Sequence, residues 1–117
     1  YILKKKFPII HKDQNISEAI TRISKSKIKI LFVISKNNKL IGSISSGDLR
    51  RSIRKKADLN QSVEKIMFKN PKYLKKKADI SRSLKDLICV PIVNNRKEII
   101  DLQFNNELIQ PKKIRFF

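Results

Sequence analysis

The chain has 117 residues, enough for one domain with a real core, and 40% of them are hydrophobic, which sets it apart from compositionally disordered sequences. It carries 28 Lys+Arg against 10 Asp+Glu, a formal charge of +18, so acidic partners, nucleic acid among them, have to be considered. The single Cys89 excludes an internal disulfide, no apolar run reaches the length of a membrane span, and Lys4-Lys5-Lys6 directly after Tyr1-Ile2-Leu3 do not make a signal peptide.

Taken in order, Phe7, Ile9 and Ile10 predict a short first strand with Pro8 at its entry. Asn15 offers an N-cap with Glu18 three residues on, the spacing of a capping box. Ile16, Ala19, Ile20 and Ile23 then follow at helical spacing to about Ser26. Ile30-Leu31-Phe32-Val33-Ile34 reads as a buried strand, and Asn37-Asn38 as the turn of a hairpin returning through Leu40–Ser45. Within that returning strand, Gly42 marks a place where another backbone or a ligand approaches closely. Leu49 to Lys56 reads as a helix.

The corner between strand and helix, Ser45-Ser46-Gly47-Asp48, has two readings. In one, Ser45 or Ser46 is the N-cap and Asp48 a carboxylate suited to the first turn. In the other, Asp48 accepts hydrogen bonds from a ribose diol, while Ser45 and the turn amides hold a phosphate at the helix start. Arg50 and Arg51 follow, placed to meet phosphates or to stay solvated.

A polar linker, Lys56 to Gln61, leads to Ser62, which can cap a short helix through Val63, Ile66 and Met67 ended by Asn70-Pro71. The order of elements then repeats. Tyr73-Leu74 stands for Ile9-Ile10, and Asp79-Ile80 to Leu87 for the first helix. Val90-Pro91-Ile92-Val93 stands for the buried strand, Asn94-Asn95 for the turn, and Ile99-Ile100 begins the returning strand. The repeat divides the chain at residues 1–61 and 62–117. In its second copy Asp101, Phe104, Asn106 and Glu107 replace Gly42, Ser45, Gly47 and Asp48, so any ligand is placed at the first corner. The basic end, Pro111 to Phe117, reads as a docking strand or as the stump of a linker to a catalytic domain.

Gly42-Ser43-Ile44-Ser45-Ser46-Gly47-Asp48 resembles the nucleotide-binding signature of CBS domains, named after cystathionine β-synthase, which usually occur in pairs as Bateman modules. Gly47-Asp48-Leu49-Arg50-Arg51 is similar to a run in CBS pairs fused to bacterial sugar-phosphate nucleotidyltransferases, and Val63-Glu64-Lys65-Ile66-Met67 resembles the segment joining paired motifs. The resemblance implies an α+β fold with α/β-type layers. Two tandem CBS motifs, each a β-α-β-β-α unit with a small three-stranded sheet, would pack by pseudo-two-fold symmetry. It also implies a regulatory module rather than an enzyme, working as a homodimer and sensing an adenosine nucleotide (AMP, ADP or ATP), with a nucleotidyltransferase as its partner; the single cysteine is consistent with a reducing cytoplasm. The ligand-binding residues carried over are Gly42, Ser45, Ser46, Gly47, Asp48, Arg51, Ile10 and Leu31.

Catalytic and metal chemistry find little footing: there is no P-loop, no dinucleotide fingerprint and no HExxH, and one His with one Cys gives no metal-ligand spacing. Two rival functions stay open, a ligand-free dimerisation scaffold and a basic nucleic-acid-binding protein. The second explains the charge but lacks aromatic platforms and zinc spacing, and the positive residues fall on different predicted elements.

Overall fold

A computed structural model describes residues 8–75 and 89–104, which fall into two compact units divided between Pro71 and Lys72. In the first, β1 (Ile9–His11), α1 (Ile16–Ser24), β2 (Ile30–Ile34), β3 (Leu40–Ser45) and α2 (Ser46–Arg54) follow one another. The three strands form one sheet in the order β1-β2-β3, with β1 parallel and β3 antiparallel to β2. That is a mixed sheet with two helices, the α+β layering that the resemblance implies.

Each helix begins where its capping residue sits. Asn15 accepts a hydrogen bond from the Glu18 amide at 2.9 Å and so satisfies one of the helix's orphan donors. The expected capping box is only half made, because the Glu18 carboxylate turns to Arg22 at 2.8 Å instead. Arg22 also donates to the Ile9 carbonyl at 2.6 Å, tying α1 to β1. The second helix starts at Ser46, not at Leu49: Ser45 accepts from the Asp48 amide and Asp48 accepts from the Ser45 amide, a complete capping box. Its far end is a Schellman motif. Lys56 takes positive φ (60°), its N–H donates to the Ile53 carbonyl, and the Ala57 N–H donates to Ser52.

The core gathers Ile10 from β1, Ile16, Ala19 and Ile23 from α1, Leu31 and Val33 from β2, Ile44 from β3 and Leu49 from α2. The stripe of α1 is the i, i+3, i+7 set read from the sequence, now turned onto the sheet. Val63, from a single 3-10 turn (Val63–Lys65), is wholly buried in the same cluster. The segment that follows residue 61 thus contributes to the core of the first compact unit. Its closing segment adds a pairing the sequence does not announce: Phe68 and Ser43 exchange both backbone hydrogen bonds, at 3.0 and 2.8 Å, along the free edge of β3.

The second unit repeats the first hairpin partner for partner. β4 (Cys89–Val93) and β5 (Ile99–Phe104) are antiparallel, and each pair lies 59 residues after its counterpart, from Ile30↔Ser45 to Cys89↔Phe104. Even the register shift recurs, between Val33 and Ile34 and again between Ile92 and Val93. Leu74 bridges Ile92 in parallel, as Ile10 does Val33. The turns match as well, but the residue at positive φ is Asn38 in the first and Lys97 in the second, rather than the expected Asn94-Asn95 pair. Asn94 takes the role of Ser35 instead, its side-chain oxygen accepting from the amides of Arg96 and Glu98. The helix expected from Asp79 to Leu87, the corner at Asn106 and Glu107, and the end from Pro111 lie outside the described residues.

Candidate functional site

The corner after β3 is built by the capping box. The Asp48 Oδ2 accepts from the Ser45 amide at 2.9 Å, the Ser45 Oγ accepts from the Asp48 amide at 3.2 Å, and the Asp48 Oδ1 accepts from Arg51. Three amides of the corner, Ser45, Ser46 and Asp48, are thus engaged within the chain, since Ser46 also donates to the Lys29 carbonyl at 3.1 Å. Asp48 nevertheless stays within reach of solvent, its side chain 23% exposed beside a 60% exposed Arg51.

The other carried-over residues do different work. Ile10 and Leu31 are 0% and 1% exposed and belong to the core. Gly42 is the close approach expected of it, made to a backbone: a Cβ there would lie 2.5 Å from the Met67 sulfur and 2.9 Å from the Phe68 carbonyl oxygen. Gly47 sits in the first turn of α2 without positive φ, and a Cβ there would meet only ordinary contacts with Arg51 and Ser45. Of the eight residues, Ser45, Ser46, Gly47, Asp48 and Arg51 are brought together at one helix start. Ile10, Leu31 and Gly42 pack behind it.

A cleft of about 270 Å³ opens beside this corner. Asp48, Arg51 and Ser52 line it from α2 and Lys55 from that helix's C-cap, at the spacing that places them on one helix face, and Lys65 and Ile66 face them from the 3-10 turn and the residue after it. The Ser52 hydroxyl is engaged with the Asp48 carbonyl at 3.1 Å. Among the described residues, no carboxylate pairs with Lys55 or Lys65. The sequence shows Arg50–Lys56 as a dense basic run, and spacing alone puts Arg51 and Lys55 with Asp48. Nothing in the sequence brings Lys65 across to them.

In the second unit the position of Ser45 is held by Phe104, 39% exposed at the end of β5. An aromatic ring offers neither the acceptor for a cap nor a hydroxyl for a phosphate. Cys89, at the position of Ile30, is buried, and burial pushes its thiol up to about 12. It is a core residue, as its apolar neighbours predict. Among the described residues there is no His, Cys, Asp and Glu cluster fit for a metal ion, and no helix is long and apolar enough to cross a membrane.

The CBS domain family model matches residues 2–55, the stretch from the chain start through the Asp48 helix. A CBS domain protein of Pyrobaculum aerophilum, complexed with AMP, superposes with a TM-score of 0.73 over 92% of this chain and 87% of that one, at 16% identity. The fold is that of a CBS-domain pair. In sequence, an uncharacterised protein of Rickettsia prowazekii is 31% identical over 75% of this chain. The arabinose 5-phosphate isomerase of Francisella tularensis is 28% identical over 88% of it. The chain spans 29% and 33% of the length of these two curated relatives. Their similarity thus falls in a region that each of them combines with a larger remainder.

Proposed function

We propose that this CBS-domain chain is a regulatory ligand-binding module that senses an adenosine nucleotide at the Asp48 corner. The observation that carries the proposal is the carboxylate itself. The capping box holds Asp48 rigidly at the N-terminus of α2, part-exposed at the mouth of a basic cleft. An ionised acceptor fixed in this way is suited to a ribose diol, and the hydrogen bonds it makes are about twice as strong as neutral ones. The fold is shared with a protein complexed with AMP, which supports the choice of ligand. Regulation follows if occupancy differs between two states of an attached or partner enzyme. By resemblance that enzyme is a sugar-phosphate nucleotidyltransferase, the two motifs divide at residues 61 and 62, and the module works in the cytoplasm as a homodimer.

Calorimetry with AMP, ADP and ATP tests the reading on three proteins: wild type, Asp48→Asn and Glu107→Ala. Asp48→Asn keeps an oxygen for the Ser45 amide, so the cap survives while the charge is lost. Nucleotide binding that weakens at least tenfold in Asp48→Asn and persists in Glu107→Ala is the expected result. A second reading, a scaffold without ligand, draws on the fact that both Asp48 oxygens already have partners within the chain. Absence of heat with every nucleotide selects it.

A further inference from the structure

We infer that the cleft between α2 and the 3-10 turn receives the phosphate tail of a ligand that carries two or more phosphates. The inference rests on the nucleotide reading above and sharpens it from adenosine nucleotides in general to di- and triphosphates. Three cations line the cleft, Arg51, Lys55 and Lys65, against one carboxylate. The Asp48 carboxylate does not oppose an anion with its full charge, because the Ser45 amide covers one oxygen and Arg51 the other. Lys55 and Lys65 have no such partner among the described residues, so their charge faces the cleft uncompensated. Like charges gathered across a concave wall raise the local potential and favour a polyanion.

Size and spacing decide how much of the ligand enters. About 270 Å³ falls short of the roughly 300–1,000 Å³ that whole drug-sized ligands occupy, so the cleft takes only part of a nucleotide, and a phosphate chain fits. From Asp48 to Lys55 is seven residues, about 10 Å along a helix axis. A sugar gripped at Asp48 puts its first phosphate beside Arg51. Lys55, about one turn beyond Arg51, and Lys65 opposite are within reach of the phosphates beyond it. A monophosphate satisfies Arg51 and leaves both lysines idle.

The test compares AMP, ADP and inorganic pyrophosphate by calorimetry at low salt, on the 117-residue wild type, on Asp48→Asn and on the double variant Lys55→Ala/Lys65→Ala. Both lysines are exposed, so the double variant keeps the wild-type circular dichroism and melting curve. ADP is expected to bind about tenfold or more tighter than AMP. The double variant should erase that advantage while changing AMP binding less than about threefold, since hydrogen bonds to charged groups are worth about one to two decades of affinity. Equal affinity for AMP and ADP, both lost in Asp48→Asn, overturns the phosphate-tail inference and leaves the nucleotide reading standing. Pyrophosphate binding that disappears in the double variant, with neither nucleotide bound, supports the anion cleft and removes the nucleotide reading. Absence of binding by all three probes overturns both.

Discussion

The hairpin of the first unit ends at Ser45 and that of the second at Phe104, and up to those two residues their strand pairing is the same, shifted by a constant 59 positions. Few side chains are shared along the way. Gly42 stands opposite Val33 where Asp101 stands opposite Ile92, and the left-handed turn residue is an asparagine in one and a lysine in the other. A ladder of backbone hydrogen bonds needs apolar, strand-forming residues and a tight turn, and many sequences supply those. A capping box needs a hydroxyl at one position and a carboxylate three residues on, and replacing the first by a phenyl ring removes it outright. Architecture is therefore kept by pattern and the site by identity. The second hairpin shares the architecture and lacks the hydroxyl that begins the site.

The same contrast appears at the edge of the third strand. In the first unit Gly42 lets Met67 and the Phe68 backbone close over β3, and Ser43 exchanges hydrogen bonds with Phe68. At the equivalent position of β5, Asp101 carries a side chain in place of that glycine, and its carboxylate accepts from the Leu102 N–H at 2.8 Å.

Three measurements bear on this contrast, beginning with the largest effect. Ile16→Ala removes a wholly buried side chain from the first unit's core and should cost about 2–5 kcal/mol in denaturant unfolding. Ile100→Ala, at a position 38% exposed in the second unit's hairpin, should stay within about 0.5 kcal/mol. Equal losses would mean that the exposed strand position is covered in solution and that the two hairpins are not differently loaded. Next, Gly42→Val drives a side chain into Met67 and the Phe68 carbonyl and should destabilise by about 1–3 kcal/mol. Hydrogen exchange at the Ser43 and Phe68 amides should speed up in this variant, and unchanged protection there would show that the bridge does not depend on the glycine.

The smallest effect is a pH dependence confined to the second unit. Cys89 is raised from 9.0 to about 12 by burial, so the folded state keeps its proton where the unfolded state has lost it. Stability is then full below about pH 9 and falls as pH climbs from 9.0 toward 12, because the unfolded chain binds fewer protons across that window. By guanidinium titration, wild type should lose about 1 kcal/mol more than Cys89→Ala between pH 8 and pH 10. Parallel curves for the two proteins would mean that the thiol ionises as readily folded as unfolded.

The sequence by itself determined the elements and their repetition. Apolar spacing gave α1, continuous β-branched runs gave β2 and β4, and the order of elements gave a second hairpin like the first, because these signals are local and periodic. It also offered the capping reading of Ser45 and Asp48, which the side chains adopt. Tertiary structure alone decided that Met67 and the Phe68 backbone close over Gly42. It decided that Ile10 and Leu31 serve the core, and that Lys65 comes round to face Lys55 across a cleft. Each of these joins residues distant along the chain or chooses between two uses of one side chain. Such choices are made by which surfaces the folded unit buries together, and no local pattern records them.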